Sequence, residues 1–160
     1  MRTSIDMESP LGRLRLFAEE GGLSQIWLPG PDTPPAAETT DEAVQQAARQ
    51  LEEYFNGRRT EFRLALRARG TAFQQAVWAE LVKIPFGETR SYGEIARTLG
   101  RPTAFRAVGA ANGRNPLAIV VPCHRVIASD GTLHGYAGGL PAKQWLLDHE
   151  KKASLRRFSH

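Results

Sequence analysis

The chain has 160 residues, a mass of 17.7 kDa and a net charge of +4, with 41% hydrophobic and 24% charged residues. This length and composition exclude a large multidomain enzyme and a disordered chain. The longest purely apolar stretch, residues 117–121, is too short for a membrane span, and the N-terminus has no apolar signal region, so we expect a soluble, cytoplasmic protein without a membrane partner.

Residues 1–70 show the pattern of a small sheet covered by a helix. Apolar and polar residues alternate along residues 5–28, around turn sequences that contain Pro10 and a Gly pair, which predicts a three-stranded meander. After a Pro-rich loop, apolar residues recur at helical spacing from Val44 to Phe55. Alternation at residues 62–66 predicts a last strand. We place the N-terminal domain at residues 1–70.

The pattern becomes helical from residue 71. Thr71 with Gln74, and Ser91 with Glu94, have the spacing of two capping boxes, each of which predicts the start of a helix. Thr103 is predicted to cap a third helix that ends near residue 112.

The second and third of these helices are joined by a Gly-containing turn, which is typical of a helix-turn-helix, although helical hairpins also occur as plain packing units. A final helix is predicted from Pro141. We place the C-terminal domain at residues 71–152 and expect residues 153–160 to form a frayed basic tail.

Charge is distributed unevenly along the chain. Residues 1–70 contain nine Arg against eleven Asp and Glu, whereas residues 71–160 contain twelve Lys and Arg against six acids. Within residues 89–128 the single acid is Glu94, and the basic residues are Arg90, Arg97, Arg101, Arg106, Arg114 and Arg125. A basic pair of short helices indicates a nucleic-acid partner, with a merely solvated basic face as the alternative.

The one cysteine, Cys123, cannot form an internal disulfide, and the four histidines lack the spacing of a zinc site, so we expect no metal and no cofactor. An apolar segment and Pro122 precede Cys123, and His124 and Arg125 follow it. Because Pro cannot donate within a central sheet and Arg is costly in a core, we interpret this segment as a strand that ends at a surface or cleft. That placement favours a reactive thiol over an inert packed cysteine. Substrate could reach such a thiol, and a neighbouring base or cation could activate it.

The sequence Pro122-Cys123-His124-Arg125-Val126 resembles the active-site motif of the O6-alkylguanine-DNA alkyltransferases, also called methylated-DNA-protein-cysteine methyltransferases. Three further blocks resemble that family in order and spacing: GETRSYGEIA at residues 87–96, RAVGAANGRNP at 106–116 and GYAGGL at 135–140. The resemblance implies an α+β fold, with an N-terminal ribonuclease-H-like sheet and helix and a C-terminal winged helix-turn-helix that carries the active site.

The resemblance also implies an activity. The protein would transfer the alkyl group of O6-alkylguanine in double-stranded DNA to Cys123 in a single turnover, without a cofactor and as a monomer, and O4-alkylthymine is a second candidate substrate. Cys123 would be the nucleophile, His124 its base, Glu150 the partner that fixes and charges the imidazole, Asn115 a brace for the adjoining turn and Tyr92 the hydroxyl donor to the leaving oxygen. The guanine would be held by Tyr92, Tyr136, the carbonyl groups of Cys123 and Val126 and the amide of Ala137.

The DNA contacts that the resemblance implies lie on and around the helix pair. Arg106 would enter the base stack where the target base has left. A face of small residues, formed by Ala104, Ala107, Ala110 and Ala111, would let the helix approach the minor groove. The further DNA-binding positions are Tyr92, Gly93, Arg101, Gly113 and Ser129.

Other interpretations remain at this point. A protein of the same fold could recognise alkylated guanine without reacting, but the presence of Cys123 favours chemistry. A winged-helix transcription factor with an incidental thiol would explain the basic helix pair. Ala107 and Ala111 could be helix formers packed on the core, Glu150 an ordinary charge near the chain end, and Arg125 a solvated arginine or a partner of the N-terminal domain.

Overall fold

The computed structural model describes residues 2–133, 136 and 139–157 of the chain, with the side chain of residue 157 excepted. The chain divides into two compact units, Met1–Arg69 and Gly70–His160. The first unit combines a sheet with one helix, and the second is mainly helical. This arrangement confirms the α+β class.

The first unit contains the predicted meander. Its antiparallel strands, in spatial order, are β1 (Arg2–Ser9), β2 (Gly12–Glu19) and β3 (Gly22–Trp27). Alternation along β2 buries Leu14 and Leu16 on one face, as expected for a half-buried strand. Helix α1 (Glu42–Phe55) begins where the Asp41 carboxylate accepts a hydrogen bond of 2.8 Å from the Ala43 amide.

The predicted strand at residues 62–66 is wrong, because the segment forms a single parallel bridge between Leu66 and Leu23. The alternation indicated an extended backbone correctly, and Leu23 of β3 bonds to the Ala65 carbonyl at 2.8 Å and to the Arg67 amide at 2.7 Å. At Arg63, however, a side chain takes the place of a neighbouring strand. Gln50 of α1 donates to the Arg63 carbonyl at 3.1 Å and accepts from the Arg63 amide at 2.9 Å. A buried glutamine thus satisfies backbone groups that a sheet partner would otherwise satisfy.

The second unit contains four helices and a two-stranded parallel sheet among the residues described. In chain order its elements are α2 (Ala72–Val82), β4 (Arg90–Ser91), α3 (Tyr92–Thr98), α4 (Phe105–Gly113), a 3-10 turn at Cys123–Arg125, β5 (Val126–Ile127) and α5 (Leu140–Arg157). The predicted capping box at Thr71 and Gln74 is present in full. Ser91 caps α3, with its hydroxyl accepting from the Glu94 amide at 3.1 Å.

Helices α3 and α4 are the predicted pair of short helices. Gly100, at φ +73°, ends α3, and the Arg101 amide then bonds back to the Ala96 carbonyl at 2.9 Å, which is the hydrogen bond of a Schellman turn. The prediction that Thr103 caps α4 is wrong. The N-cap is Ala104, whose own amide bonds to the Arg101 carbonyl at 2.9 Å, so Thr103 lies inside a tight turn.

The apolar segment before Cys123 is a turn, and the predicted strand there is wrong. The Val121 amide bonds to the Leu117 carbonyl at 2.8 Å, and Ile119 has φ +76°, a value that a β-branched residue rarely adopts. A strand cannot form through this backbone. The pairing that does form comes later, where β5 lies parallel to β4.

The frayed tail predicted from residue 153 is also wrong as far as residue 157, because α5 continues through it. Ala153 is buried, and Ser154 packs so close to Gly87 that the glycine has no room for a Cβ atom. The last turns of α5 are therefore held by tertiary contacts. In the part of the chain described, no helix is long and apolar enough to cross a membrane.

Candidate active site

Asn115 holds the turn that leads to the cysteine. Its side-chain amide donates to the Val121 carbonyl at 2.8 Å, and its oxygen accepts from the Leu117 amide at 2.9 Å. One buried side chain thus bridges both ends of the turn that contains the positive φ of Ile119. This contact keeps an unfavourable backbone in place directly before Pro122 and Cys123.

Cys123 begins the 3-10 turn and is 4% exposed, so the expected strand is wrong and, of the two expected positions, a surface or a cleft, the surface is wrong as well. Burial raises the pKa of its thiol to about 11, against the opposing effects of the Asn115 side chain, the Lys143 charge and nearby backbone amides. The resting group is therefore a thiol, which needs a base before it can act as a nucleophile.

His124 follows on the same turn and is fully buried, with its Nε2 atom 2.7 Å from a Glu150 oxygen. An ionised carboxylate can only accept, so Nε2 carries the hydrogen and Nδ1 is the basic nitrogen. Nδ1 is buried and has no hydrogen-bond partner among the residues described. Burial lowers the pKa of His124 below its ordinary value, against the opposing hydrogen bond and charge of Glu150. The site therefore holds a neutral imidazole with one free lone pair.

Glu150 is the centre of a buried network. Arg125 donates to both of its oxygens, at 2.8 and 3.0 Å, and also to the Ile84 carbonyl at 2.7 Å. The Gly87 amide adds a hydrogen bond of 3.2 Å to the same carboxylate. Burial opposes ionisation of Glu150, but the bonds and charges of His124 and Arg125 outweigh it and hold its pKa below the ordinary value. Arg125 is thus buried and not solvated, and it bonds to Glu150 and Ile84 of its own unit.

Lys143 is a site residue that the sequence analysis missed. It is completely buried, and its Nζ atom donates to the Val126 carbonyl at 2.6 Å. Burial lowers the pKa of Lys143, while the nearby Cys123 acts in the opposite direction. A signal existed, because Lys143, Leu146 and Glu150 share one face of α5 by their spacing, and charged residues at core positions indicate a buried polar site.

Asn112 was missed as well. It is buried in α4, and its amide donates to the Cys123 carbonyl at 3.3 Å. The same carbonyl accepts from the Val126 amide, so two donors fix the backbone of the reactive residue. Its position within the RAVGAANGRNP block was the available signal.

Tyr92, the residue directly after β4, lies close enough to Cys123 for that group to act on the pKa of its hydroxyl. Burial, and then the neighbouring Cys123, raises the pKa of Tyr92, which keeps its hydroxyl protonated. The Lys143 ammonium lies 5.9 Å from the Tyr92 ring centre. Burial, followed by Cys123 and Glu150, also raises the pKa of Tyr136 well above its ordinary value. Ala137 lies outside the described residues.

The residues predicted to contact DNA lie on the surface of the helix pair and beside it. Arg101, Arg106, Gly113 and Ser129 are exposed, and Tyr92, Gly93 and Ala104 are half-buried. Ala107 and Ala110 are exposed on α4, whereas Ala111 is 3% exposed and belongs to the core. The face of small residues is therefore narrower than predicted.

No group of three or more His, Cys, Asp or Glu side chains that could hold a metal ion occurs within the ranges described.

Family models match both units of the chain. Residues 72–152 match the DNA-binding domain of 6-O-methylguanine DNA methyltransferase, and residues 5–68 match its ribonuclease-like domain. The chain belongs to the 6-O-methylguanine DNA methyltransferase family. This membership confirms the resemblance on which the sequence analysis relied.

Relatives of known identity support the same assignment. A methylated-DNA-protein-cysteine methyltransferase of Methanosarcina barkeri is 49% identical over 149 residues, which cover 91% of this chain and 94% of that protein. The crystal structure of Mycobacterium tuberculosis O6-methylguanine methyltransferase superposes with a TM-score of 0.86 and 45% identity, covering 96% of this chain and 94% of that one. A structure of the M. tuberculosis protein in complex with DNA gives a TM-score of 0.84 and 47% identity, covering 94% of each chain.

Proposed function

We propose that this protein repairs O6-alkylguanine in double-stranded DNA by transferring the alkyl group to Cys123, once per protein molecule. The observation that carries the proposal is the arrangement around the thiol. A buried cysteine shares a turn with a neutral histidine whose free ring nitrogen can accept a proton, and that histidine is bonded to an ionised buried carboxylate.

Activation of the thiol requires that its proton move to His124. The imidazolium that forms is stabilised by Glu150, which Arg125 keeps ionised and in place through two hydrogen bonds. The thiolate left behind is stabilised by the buried ammonium of Lys143 and by the Asn115 side chain, both of which lower the pKa of Cys123. Each charge created in this step has a partner of opposite charge or a hydrogen-bond donor.

Transfer then follows as a single displacement. The Cys123 sulfur attacks the alkyl carbon, the bond between that carbon and the guanine oxygen breaks, and its electron pair remains on the oxygen. The protonated Tyr92 hydroxyl donates a hydrogen bond to the charge that develops there. The proton that Cys123 gave to His124 balances the charge of the guanine anion, so that the products are guanine, a neutral His124 and a thioether on Cys123. The proposed chemistry contains no step that removes the alkyl group from sulfur, so the protein acts once.

A buried nucleophile cannot reach a base within an intact duplex. We therefore infer that the target nucleotide leaves the stack and enters the site, at a cost of a few kcal/mol for unstacking. Arg106 supports this inference, because it is exposed on α4 and not engaged in the core. The carbonyl group of Val126 would accept from the guanine amino group. Since one chain contributes all these groups, we propose that the protein acts as a monomer.

A time course with excess O6-methylguanine duplex tests the proposal. We expect conversion of O6-methylguanine to guanine within the strand to stop after one equivalent per protein, and Cys123→Ala to bind the duplex without any conversion. Continued turnover would exclude a stoichiometric acceptor. Tight binding by the unmodified protein without conversion would support the alternative, a non-reactive sensor of alkylated bases.

A further inference from the structure

Phe105, the first residue of α4, is a large hydrophobic side chain that the proposed mechanism does not use. It is 48% exposed. A single exposed hydrophobic residue is ordinary on a protein surface, so its position decides whether it has a role. Phe105 directly precedes Arg106, and the Arg106 guanidinium lies 6.0 Å from the centre of its ring.

The helix geometry places Phe105 on the side of α4 that faces the active site. Gly109 lies one turn further along the same side, at i+4 from Phe105. The Tyr92 ring packs against Gly109, with ring atoms 3.8 and 3.9 Å from the position that a Cβ would occupy. Phe105 therefore stands one helical turn from the residue against which Tyr92 packs, while Val108 and Ala111 form the buried side of the helix.

The surroundings of Phe105 fit a polyanion. Arg101 is exposed in the preceding turn, where it lies 5.6 Å from the Phe73 ring centre, and Arg106 and Arg97 are exposed nearby in sequence. Glu94 is the single acid within residues 89–128. An exposed aromatic ring between arginines is suited to the combination of base faces and phosphates that nucleic acid presents.

We propose that Phe105 stacks on the base that neighbours the extruded nucleotide, as a second wedge beside Arg106. This inference rests on the proposed function, in which the target base leaves the stack. Extrusion exposes the apolar face of the adjacent base, and Arg106 provides hydrogen-bond donors but little apolar area to cover it. A phenylalanine ring covers that face, as apolar wedges do in proteins that unstack DNA.

Two substitutions of Phe105 test the proposal. Single-turnover transfer is measured from a duplex containing O6-methylguanine and from free O6-benzylguanine, which needs no extrusion. We expect Phe105→Ala to slow the duplex reaction about tenfold, as expected for the loss of one stacked base, and to leave the free-base reaction unchanged. Phe105→Trp should restore the duplex rate. Val82→Ala, which shortens another exposed apolar side chain, is the matched control and should change neither rate.

Salt dependence separates stacking from charge. Phe105→Ala should keep the salt slope of duplex binding, whereas Arg101→Ala should lower the slope by about one phosphate contact. An equal decrease of the Phe105→Ala transfer rate on the duplex and on the free base would overturn the proposal, because Phe105 would then support the pocket. An unchanged duplex rate would also overturn it, as would a dimer of the unmodified protein in sedimentation that Phe105→Ala converts to monomer. If the unmodified protein takes up no alkyl group from either the duplex or the free base, the proposed function itself fails.

Discussion

Replacing Arg125 with methionine should destabilise the C-terminal unit strongly. The substitution removes both hydrogen bonds from Arg125 to Glu150 and the one to Ile84, all at 3.0 Å or less. The carboxylate stays buried without its cation, and breaking a buried pair in this way costs about 3–5 kcal/mol. Since 1 kcal/mol lowers Tm by about 2–4 °C in a protein of this size, we expect a decrease of about 6–20 °C.

Thermal unfolding followed by circular dichroism measures this decrease, and a double-mutant cycle assigns it to the pair. Glu150→Leu alone should also destabilise, because Arg125 and His124 both lose their partner. The double variant Arg125→Met/Glu150→Leu should lose less than the sum of the two single losses, since no buried charge of the pair remains.

The control is an ion pair of the same length on the surface. Arg49 and Glu42 lie 2.8 Å apart, but their side chains are 61% and 75% exposed. Arg49→Met should therefore leave Tm nearly unchanged. Additive losses in the Arg125 and Glu150 cycle, or equal effects of Arg49→Met and Arg125→Met, would refute the conclusion that burial makes this pair important.

Three further substitutions test separate parts of the structure. Tyr92→Phe should slow transfer about 100-fold and affect folding less than rate, because the ring is kept and the donor to the leaving oxygen is lost, and equal single-turnover rates would contradict that role. His124→Gln should reduce the pH dependence of stability. Because burial lowers the pKa of His124, the unmodified protein should lose stability as the pH falls below about 6.5, where the unfolded chain binds the proton. Urea unfolding at pH 7.5 and 5.5 measures this loss. If the free energy of unfolding decreases by the same amount between the two pH values in both proteins, His124 is excluded as its source. Gly87→Ala should lower Tm by several degrees, because Gly87 has φ +82° and a Cβ there would overlap the Ser154 hydroxyl. An unchanged Tm would show that the C-terminal turns of α5 shift to accommodate the new Cβ without a loss of stability.

The elements that sequence predicted correctly depend on neighbouring residues. The meander follows from alternation and turns, and helix α2 from the spacing of Thr71 and Gln74, all of which act over a few residues. Where the structure of a segment depends on a partner that is distant in sequence, the same patterns give wrong predictions. Residues 62–66 are extended as predicted, but they pair with β3 only at Leu23, and at Arg63 the Gln50 side chain of α1 takes the place of a neighbouring strand.

The candidate site shows the same division. The reactive Cys123 follows from its setting after Pro122, and the family resemblance supplies the roles of His124, Glu150, Asn115 and Tyr92. For Arg125 the sequence suggests a solvated side chain or a partner in the N-terminal domain, because its actual partner Glu150 lies 25 residues away on α5 and no local pattern links them. Likewise, Lys143 meets the Val126 carbonyl only through the tertiary fold.

The turn before Cys123 shows that local sequence patterns also fail to predict some backbone conformations. Its apolar residues predict a strand by propensity, and that propensity is overridden by the Asn115 bridge, which holds Ile119 at a positive φ. A side-chain bridge across a turn depends on orientation, which hydrophobic periodicity does not encode.

The most direct test of the central claim is the intact mass of the protein after incubation with a duplex that contains one O6-methylguanine. The account predicts that the mass increases by one methyl group, that peptide fragmentation places the group on Cys123, and that Cys123→Ala shows no increase. An unchanged mass together with tight lesion binding, or a methyl group found on any residue other than Cys123, would contradict it.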